Sequence, residues 1–337
     1  MGLSTRATLG EISPRRARCC SRGPDRCQHL TVTNPRDLHY AMGPLAALIG
    51  PTTRDILVNP DGTVWHDSGK GVVRAAISSL PPAVVRQVAS MLLAAAGRSV
   101  DDAHPIGEGS VNTGMRVSAV LPPLVGPGPA LSLRFHLPGA VGWAGFVDAE
   151  GNPIEPRLRS LIASGTSMLI TGATGAGKTT LAALMLSAVP ANQRIVVIED
   201  TVELAPRHPH VVTLQTAQGN TEGAGVVGLG SLVRTALRMR PDWLVVGEVR
   251  GAEFVDLLAA LTTGHSGIGT LHAPSLTELP ARLLGLAALA GLDFRTLSVM
   301  TAAAFPVVVH CERNGGGSTI RLGSLRNSAE GVHVDPI

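Results

Sequence analysis

Gly172-Ala173-Thr174-Gly175-Ala176-Gly177-Lys178-Thr179-Thr180 is the stretch on which the reading of this chain turns. Its first eight residues fit the phosphate-loop pattern GxxxxGK[ST]. They lie between an apolar strand expected over Met168–Thr171 and a helix expected over Lys178–Ala188, the context the pattern needs. The glycines let backbone N–H groups turn inward around a β-phosphate, and the helix N-terminus adds its dipole. Lys178 is placed to neutralise β/γ oxygens and the Thr179 hydroxyl to ligate Mg²⁺. Lys70 and Lys178 are the only lysines in the chain, and one of them fills the lysine slot of the pattern.

Working outward, two apolar runs end in carboxylates. Arg194–Ile198 is followed by Glu199-Asp200, and Trp243–Val246 by Gly247-Glu248. Carboxylates at the C-terminal edge of a sheet stand where open α/β folds bind ligands, so both pairs are expected on strands beside the phosphate loop. They are candidates to fix a metal and orient a nucleophile for phosphoryl transfer. His272 directly follows a third apolar strand, Gly267–Leu271, and is a candidate sensor of the γ-phosphate; His265 lies just before that strand. A strand at Val211–Leu214 and helices around Leu232–Met239 and Glu253–Thr262 complete the alternation. That alternation implies an α/β fold with a mainly parallel sheet covered by helices.

The first half is patterned differently. Asp55–Asn59, Pro60-Asp61-Gly62 and Thr63–Trp65 read as strand, tight turn, strand. Pro81-Pro82 open a helix carrying Val84, Val85, Val88, Met91 and Leu92, and strands follow at Met115–Leu121 and Ala130–His136. The expected organisation is an Arg-rich disordered leader (1–28), a small α/β domain (29–138), a Gly/Pro-rich linker (139–150), a larger phosphate-loop domain (151–325) and a tail (326–337). The length of 337 residues suits two domains of about 150 residues each.

Composition narrows the function. With 45% hydrophobic and 16% charged residues the chain is not intrinsically disordered, and with 3% aromatics its cores must be built from Ala, Val and Leu. A net charge of +3 from 28 basic and 25 acidic residues argues against a dedicated nucleic-acid binder. Cys19, Cys20 and Cys27 in the leader and distant Cys311 make neither a disulfide framework nor paired zinc ligands. The apolar runs fall short of the ~20 residues that span a bilayer, and Arg15, Arg16 and Arg18 interrupt any secretory signal, so a cytoplasmic location is expected.

Four motifs together resemble the secretion-type traffic ATPases of type II and type IV secretion and type IV pilus systems, above all their Tad/Flp pilus and conjugal-transfer branch. They are the phosphate loop, the Ile198–Leu204 "Asp box", the run Leu237–Asp242 leading to an atypical Walker B at Val246–Gly251, and the "His box" from Thr263-Gly264-His265 through Leu271-His272-Ala273. Asp55–Asn59, Asp101–Pro105, Arg116–Pro123 and Leu131–Phe135 extend the likeness, which covers roughly 45 to 312. It implies a RecA-like ATPase domain behind a smaller α/β N-terminal domain, assembled as a homo-hexamer that hydrolyses ATP with Mg²⁺. A polytopic inner-membrane platform protein is the implied partner, with the motor held peripherally on the cytoplasmic side of the membrane and no direct nucleic acid.

By the same likeness Glu248 is the Walker B glutamate, Glu199 the Asp-box acid that shares the Mg²⁺ with Thr179, in part through water, and His272 the His-box histidine. Arg134 and Arg116 of the N-terminal domain are the arginines that reach the nucleotide phosphates. Arg238, Arg240 and Arg250 are further cations for a neighbouring subunit. Ala217, Trp243, Thr262 and Pro274 depart from the family pattern. Two other functions fit the motifs: a nucleotide-binding scaffold with slow turnover, and a RecA-like nucleic-acid translocase.

Overall fold

A computed structural model of the chain describes residues 35–111, 114–135, 142–217, 225–314, 317–328 and 331–337. The expected leader, 1–28, lies outside them. The first unit contains α1 (Pro35–Met42), β1 (Asp55–Val58), β2 (Val64–Asp67), β3 (Val72–Arg74), α2 (Pro82–Ala95), β4 (Ile106–Val111), β5 (Met115–Val120) and β6 (Ala130–Phe135). Its six strands form one antiparallel sheet in the order β3-β2-β1-β6-β5-β4. The β1–β2 turn is closed by Asp61, whose carboxylate accepts from the Thr63 N–H at 2.9 Å and the Thr63 hydroxyl at 2.7 Å. Gly62 follows with φ of +79°, a conformation glycine adopts freely.

Alternation along these strands gives the sheet two unlike faces. Ile56, Val58, Met115, Val117, Leu131 and Leu133 are buried in a core shared with Val85, Val88, Ala89 and Leu92 of α2. The residues between them, Arg116, Ser118, Ser132 and Arg134, are more exposed.

The second unit continues with β7 (Phe146–Val147), α3 (Glu155–Ala163), β8 (Met168–Gly172), α4 (Lys178–Ser187), β9 (Ile195–Glu199), β10 (Val211–Gln215), α5 (Leu229–Ala236), β11 (Trp243–Val249), α6 (Glu253–Leu261) and β12 (Ser266–His272). Helices α7 (Leu279–Ala290) and α8 (Phe294–Ala304) and strands β13 (Val307–Asn314), β14 (Gly317–Ser328) and β15 (Gly331–Pro336) complete it. The strand order is β10-β9-β11-β12-β8-β13-β14-β15, with β7 alongside β14. The strands are parallel from β10 to β13, and β14 and β15 join antiparallel. Residues on β8, β9 and β11 are buried on both faces, as a covered parallel sheet requires. One face packs on α3 and α4 through Leu158, Leu181 and Met185, the other on α5 to α8 through Val233, Leu257, Leu283 and Leu297.

Three features differ from the sequence expectation. Residues 326–337 are not a tail: β14 runs to Ser328 and β15 pairs with it from Gly323↔Pro336 to Ser328↔Gly331, because Leu325 and Val332 alternate inward onto the core. Residues 142–150 of the expected linker belong to the second unit, since Phe146 is buried in its core and β7 pairs with Ser318 and Thr319. The strands carrying Glu199 and Glu248 are not beside the phosphate loop's strand, because β12 lies between β11 and β8.

Among the described residues no single helix is long and apolar enough to cross a membrane. Helices α7 and α8 pass that test only as a pair, bent by 114°, and bury Leu283, Leu286 and Leu297 in the core.

Candidate functional site: a phosphate loop at the sheet edge

Strand β8 ends at Gly172 and α4 begins at Lys178, so the six intervening steps must turn through nearly a reversal. Gly172, Gly175 and Gly177 take φ of +147°, +75° and +92°, which L side chains rarely adopt. Space is as restrictive as backbone. A Cβ on Gly172 would stand 2.5 Å from the Cys311 carbonyl oxygen, and one on Gly177 would press on Ser318 Oγ and the Phe146 ring at 3.1 and 3.3 Å.

Lys178 Nζ crosses the loop and donates to the Gly172 and Ala173 carbonyls at 2.8 and 2.9 Å. Burial holds this ammonium below the ordinary lysine range, opposed by the negative charges of Glu248 and Glu203. Glu248, two strands away, thus acts on the lysine through its charge. Thr179 and Thr180 follow on the first turn of α4, both partly buried.

The two carboxylate positions are built differently. Glu199 is 3% exposed; its Oε1 accepts from the Glu203 and Leu204 N–H groups at 3.1 and 3.0 Å, while Oε2 is buried without a hydrogen-bond partner. Gly247 makes the room, since a Cβ there would stand 2.6 Å from Glu199 Cγ. Desolvation pushes the Glu199 carboxyl up to about 7, against the two backbone donors. Glu248 is half-buried and accepts from Arg250 Nη2 at 2.5 Å. That bond, with the charges of Asp200 and Glu203, holds the Arg250 guanidinium above its usual range. Arg250 is thus paired with Glu248 of the same chain, and Arg238 and Arg240 are exposed just after α5.

His272 lies on the strand beside the loop's own, in register with Gly172, and its Nδ1 is buried without a hydrogen-bond partner. His265, at the other end of β12, has Nδ1 3.3 Å from the Ala260 carbonyl oxygen. Arg134 and Arg116 are cross-strand partners on the exposed face of the first sheet, and Arg134 Nε donates to Asp55 at 2.9 Å. The structure thus gathers Lys178, Glu199, Glu248 and His272 at one edge and holds Arg134 in a pair within its own unit.

Sequence reasoning missed the loop's outer wall. Arg313 Nη1 donates to the Gly175 carbonyl at 3.0 Å, and Ser318 Oγ donates to that of Ala176 at 2.8 Å. Both come from the β13–β14 hairpin, about 140 residues away in the chain. No local pattern announces them; the apolar run Phe305–Val309 was the available sign of a strand.

A parallel sheet with a glycine-rich loop feeding a helix, and acids and a histidine on the neighbouring strand ends, defines a RecA-like P-loop nucleotide-binding protein. The chain belongs to the type II/IV secretion system protein family, which matches residues 41–322. It is 47% identical over 277 residues to a putative conjugal transfer protein of Mycobacterium tuberculosis, covering 79% of this chain and 78% of that one. It is 32% identical to the conjugal transfer protein TrbB of Rhizobium radiobacter, over 82% and 84% of the two chains. In fold it is similar to the pilus retraction motor PilT (TM-score 0.59, 18% identity, 85% and 81% covered). A similar likeness links it to the ATPase DotB of Legionella pneumophila (TM-score 0.51, 18% identity, 93% and 81% covered).

Proposed function

We propose that the chain is a Mg²⁺-dependent ATPase that works as a hexameric ring and drives assembly or secretion through a Tad/Flp pilus-type or type II/IV machine. The observation that carries the reading is Lys178 Nζ, bound to the loop's own carbonyls and within the field of Glu248. Such a lysine exchanges two neutral acceptors for charged phosphate oxygens when ATP enters, a gain in charge-assisted hydrogen bonding. The structurally similar motor PilT is known with bound ADP, which accords with this use of the loop.

The residues present suit a divalent ion. Glu199 offers a buried oxygen with no partner, and Thr179 a hydroxyl on the helix that the loop feeds. Glu199 and Thr179 would hold a Mg²⁺ ion, whose charge would offset that building on the transferred group. Glu248 orients and deprotonates the attacking water, and Arg250 fixes that carboxylate's direction. His272, one strand from the loop, senses whether a γ-phosphate is present.

Arg134 closes the site from the N-terminal domain, giving up Asp55 to do so. In the ring it acts on the cytoplasmic side of the membrane, against a polytopic platform protein.

Lys178→Ala is expected to abolish ATP hydrolysis with folding intact, since the side chain makes no core contact. Steady-state phosphate release with circular dichroism checks this, and near-normal turnover would sink the assignment. Doping Lys178→Ala subunits into wild type is expected to depress activity more than in proportion to their fraction. Strictly proportional loss would mean that subunits act alone.

A further inference from the structure

His310 belongs to none of the motifs, yet it is the most completely buried histidine near the loop, with 0% exposure on β13. Parallel pairing of β13 with β8 sets His310 opposite Thr171 and Cys311 opposite Gly172. His310 Nδ1 lies 2.8 Å from the hydroxyl of Thr171, the last residue before the phosphate loop. Nε2 has no partner within hydrogen-bond distance and stands 3.8 Å from Glu312 Oε1. The Pro274 backbone, two residues past His272, also acts on this imidazole and favours its protonated form.

The surroundings say which form the ring takes. The charged groups facing it are Glu312 on its own strand, Arg321 on β14 and Lys178 on α4. Burial, Arg321 and Lys178 outweigh Glu312 and Pro274, so the pKa lies below the ordinary histidine value and the ring is neutral at pH 7. A neutral imidazole carries one N–H and one lone pair, so it can accept from a hydroxyl on one side and donate to a carbonyl on the other. Its Nδ1 is therefore equipped to accept from the Thr171 hydroxyl at the foot of the phosphate loop.

We propose that His310 is a positioning residue for ATP hydrolysis: through its contact with the Thr171 hydroxyl it fixes the foot of the phosphate loop against β13, and so the place at which the loop holds the nucleotide. The proposal rests on the ATPase reading above and adds a residue to it.

The test compares wild type, His310→Leu, His310→Asn and Thr171→Val for kcat and KM of ATP at pH 8, with release of a fluorescent ADP measured alongside. His310→Leu is expected to lower kcat about tenfold with KM changed far less, as small misplacements of reacting groups do. Thr171→Val should do the same, and the double variant should lose little more. His310→Asn keeps a side-chain group able to bond Thr171; it should recover most of kcat. Wild-type kcat in His310→Leu, additive losses, or no recovery of kcat in His310→Asn would each overturn the proposal. Should His310→Leu fail to fold, His310→Asn and Thr171→Val still decide it. A wild-type chain that binds nucleotide without hydrolysing it would defeat the ATPase reading; ADP release unaltered in all three variants would then defeat this one separately.

Discussion

The ends of β9 and β11 look alike as sequence, each an apolar run stopping at a glutamate, but they are opposite kinds of site. Glu199 is walled in, with one oxygen held by two backbone N–H groups and the other bare. Glu248 is half open and gripped by Arg250. The difference teaches that the companion groups, and not the strand end, divide the labour. A buried carboxyl raised to about 7 binds either a proton or a metal ion, whereas a guanidinium-held carboxylate keeps one direction toward solvent and water.

The largest effect expected from breaking this contrast is at Glu248. Glu248→Gln keeps the shape and the Arg250 contact but cannot take a proton, and it should cut hydrolysis by about 10²-fold or more while ATP still binds. Equal loss of nucleotide affinity, measured by equilibrium titration, would move Glu248 to the metal site and erase the distinction.

Glu199→Gln should act on stability in a pH-dependent way. The folded pKa of about 7 lies above the ordinary glutamate value of 4.5, so the protonated carboxyl's contribution is full below about pH 4.5 and is lost as pH rises through 7. Glutamine keeps the acceptor for Glu203 and Leu204 and never ionises. Without nucleotide or metal, the variant should therefore be more stable than wild type at pH 8, on the order of 2 kcal/mol, and little different at pH 4.5. Urea unfolding at both pH values checks this, and an equal difference at both would show that Glu199 is not raised.

The smallest effect is expected at Arg250, where Arg250→Ala leaves the Glu248 carboxylate in place but undirected. A few-fold loss in kcat at unchanged KM is the expected result. A loss as deep as that of Glu248→Gln would make the arginine a direct partner of the phosphates.

What was legible in the sequence was what is local. The phosphate loop, the strands that lead to Glu199, Glu248 and His272, and the Asp61-Gly62 hairpin each lie within a few consecutive residues, where spacing reports conformation directly. Strand order is not local, so the expectation that both acids adjoin the loop failed at β12, which inserts between them and β8. The same holds for Arg313, Ser318 and His310. Each reaches the loop or its strand across about 140 residues, and nothing in Arg313-Asn314 or Gly317-Ser318 signals which backbone it will meet.

Phe146 gives this wall a practical consequence for anyone dissecting the protein. A fragment cut at the apparent border near residue 151 would keep every motif and still discard β7, removing a strand from the sheet edge and the ring that flanks Gly177. Such a fragment carries Lys178, Glu199, Glu248 and His272 around a loop that has lost one of its supports. Its failure to turn over ATP would then mix the loss of β7 with the loss of Arg134, and a cut ahead of Gly142 separates the two.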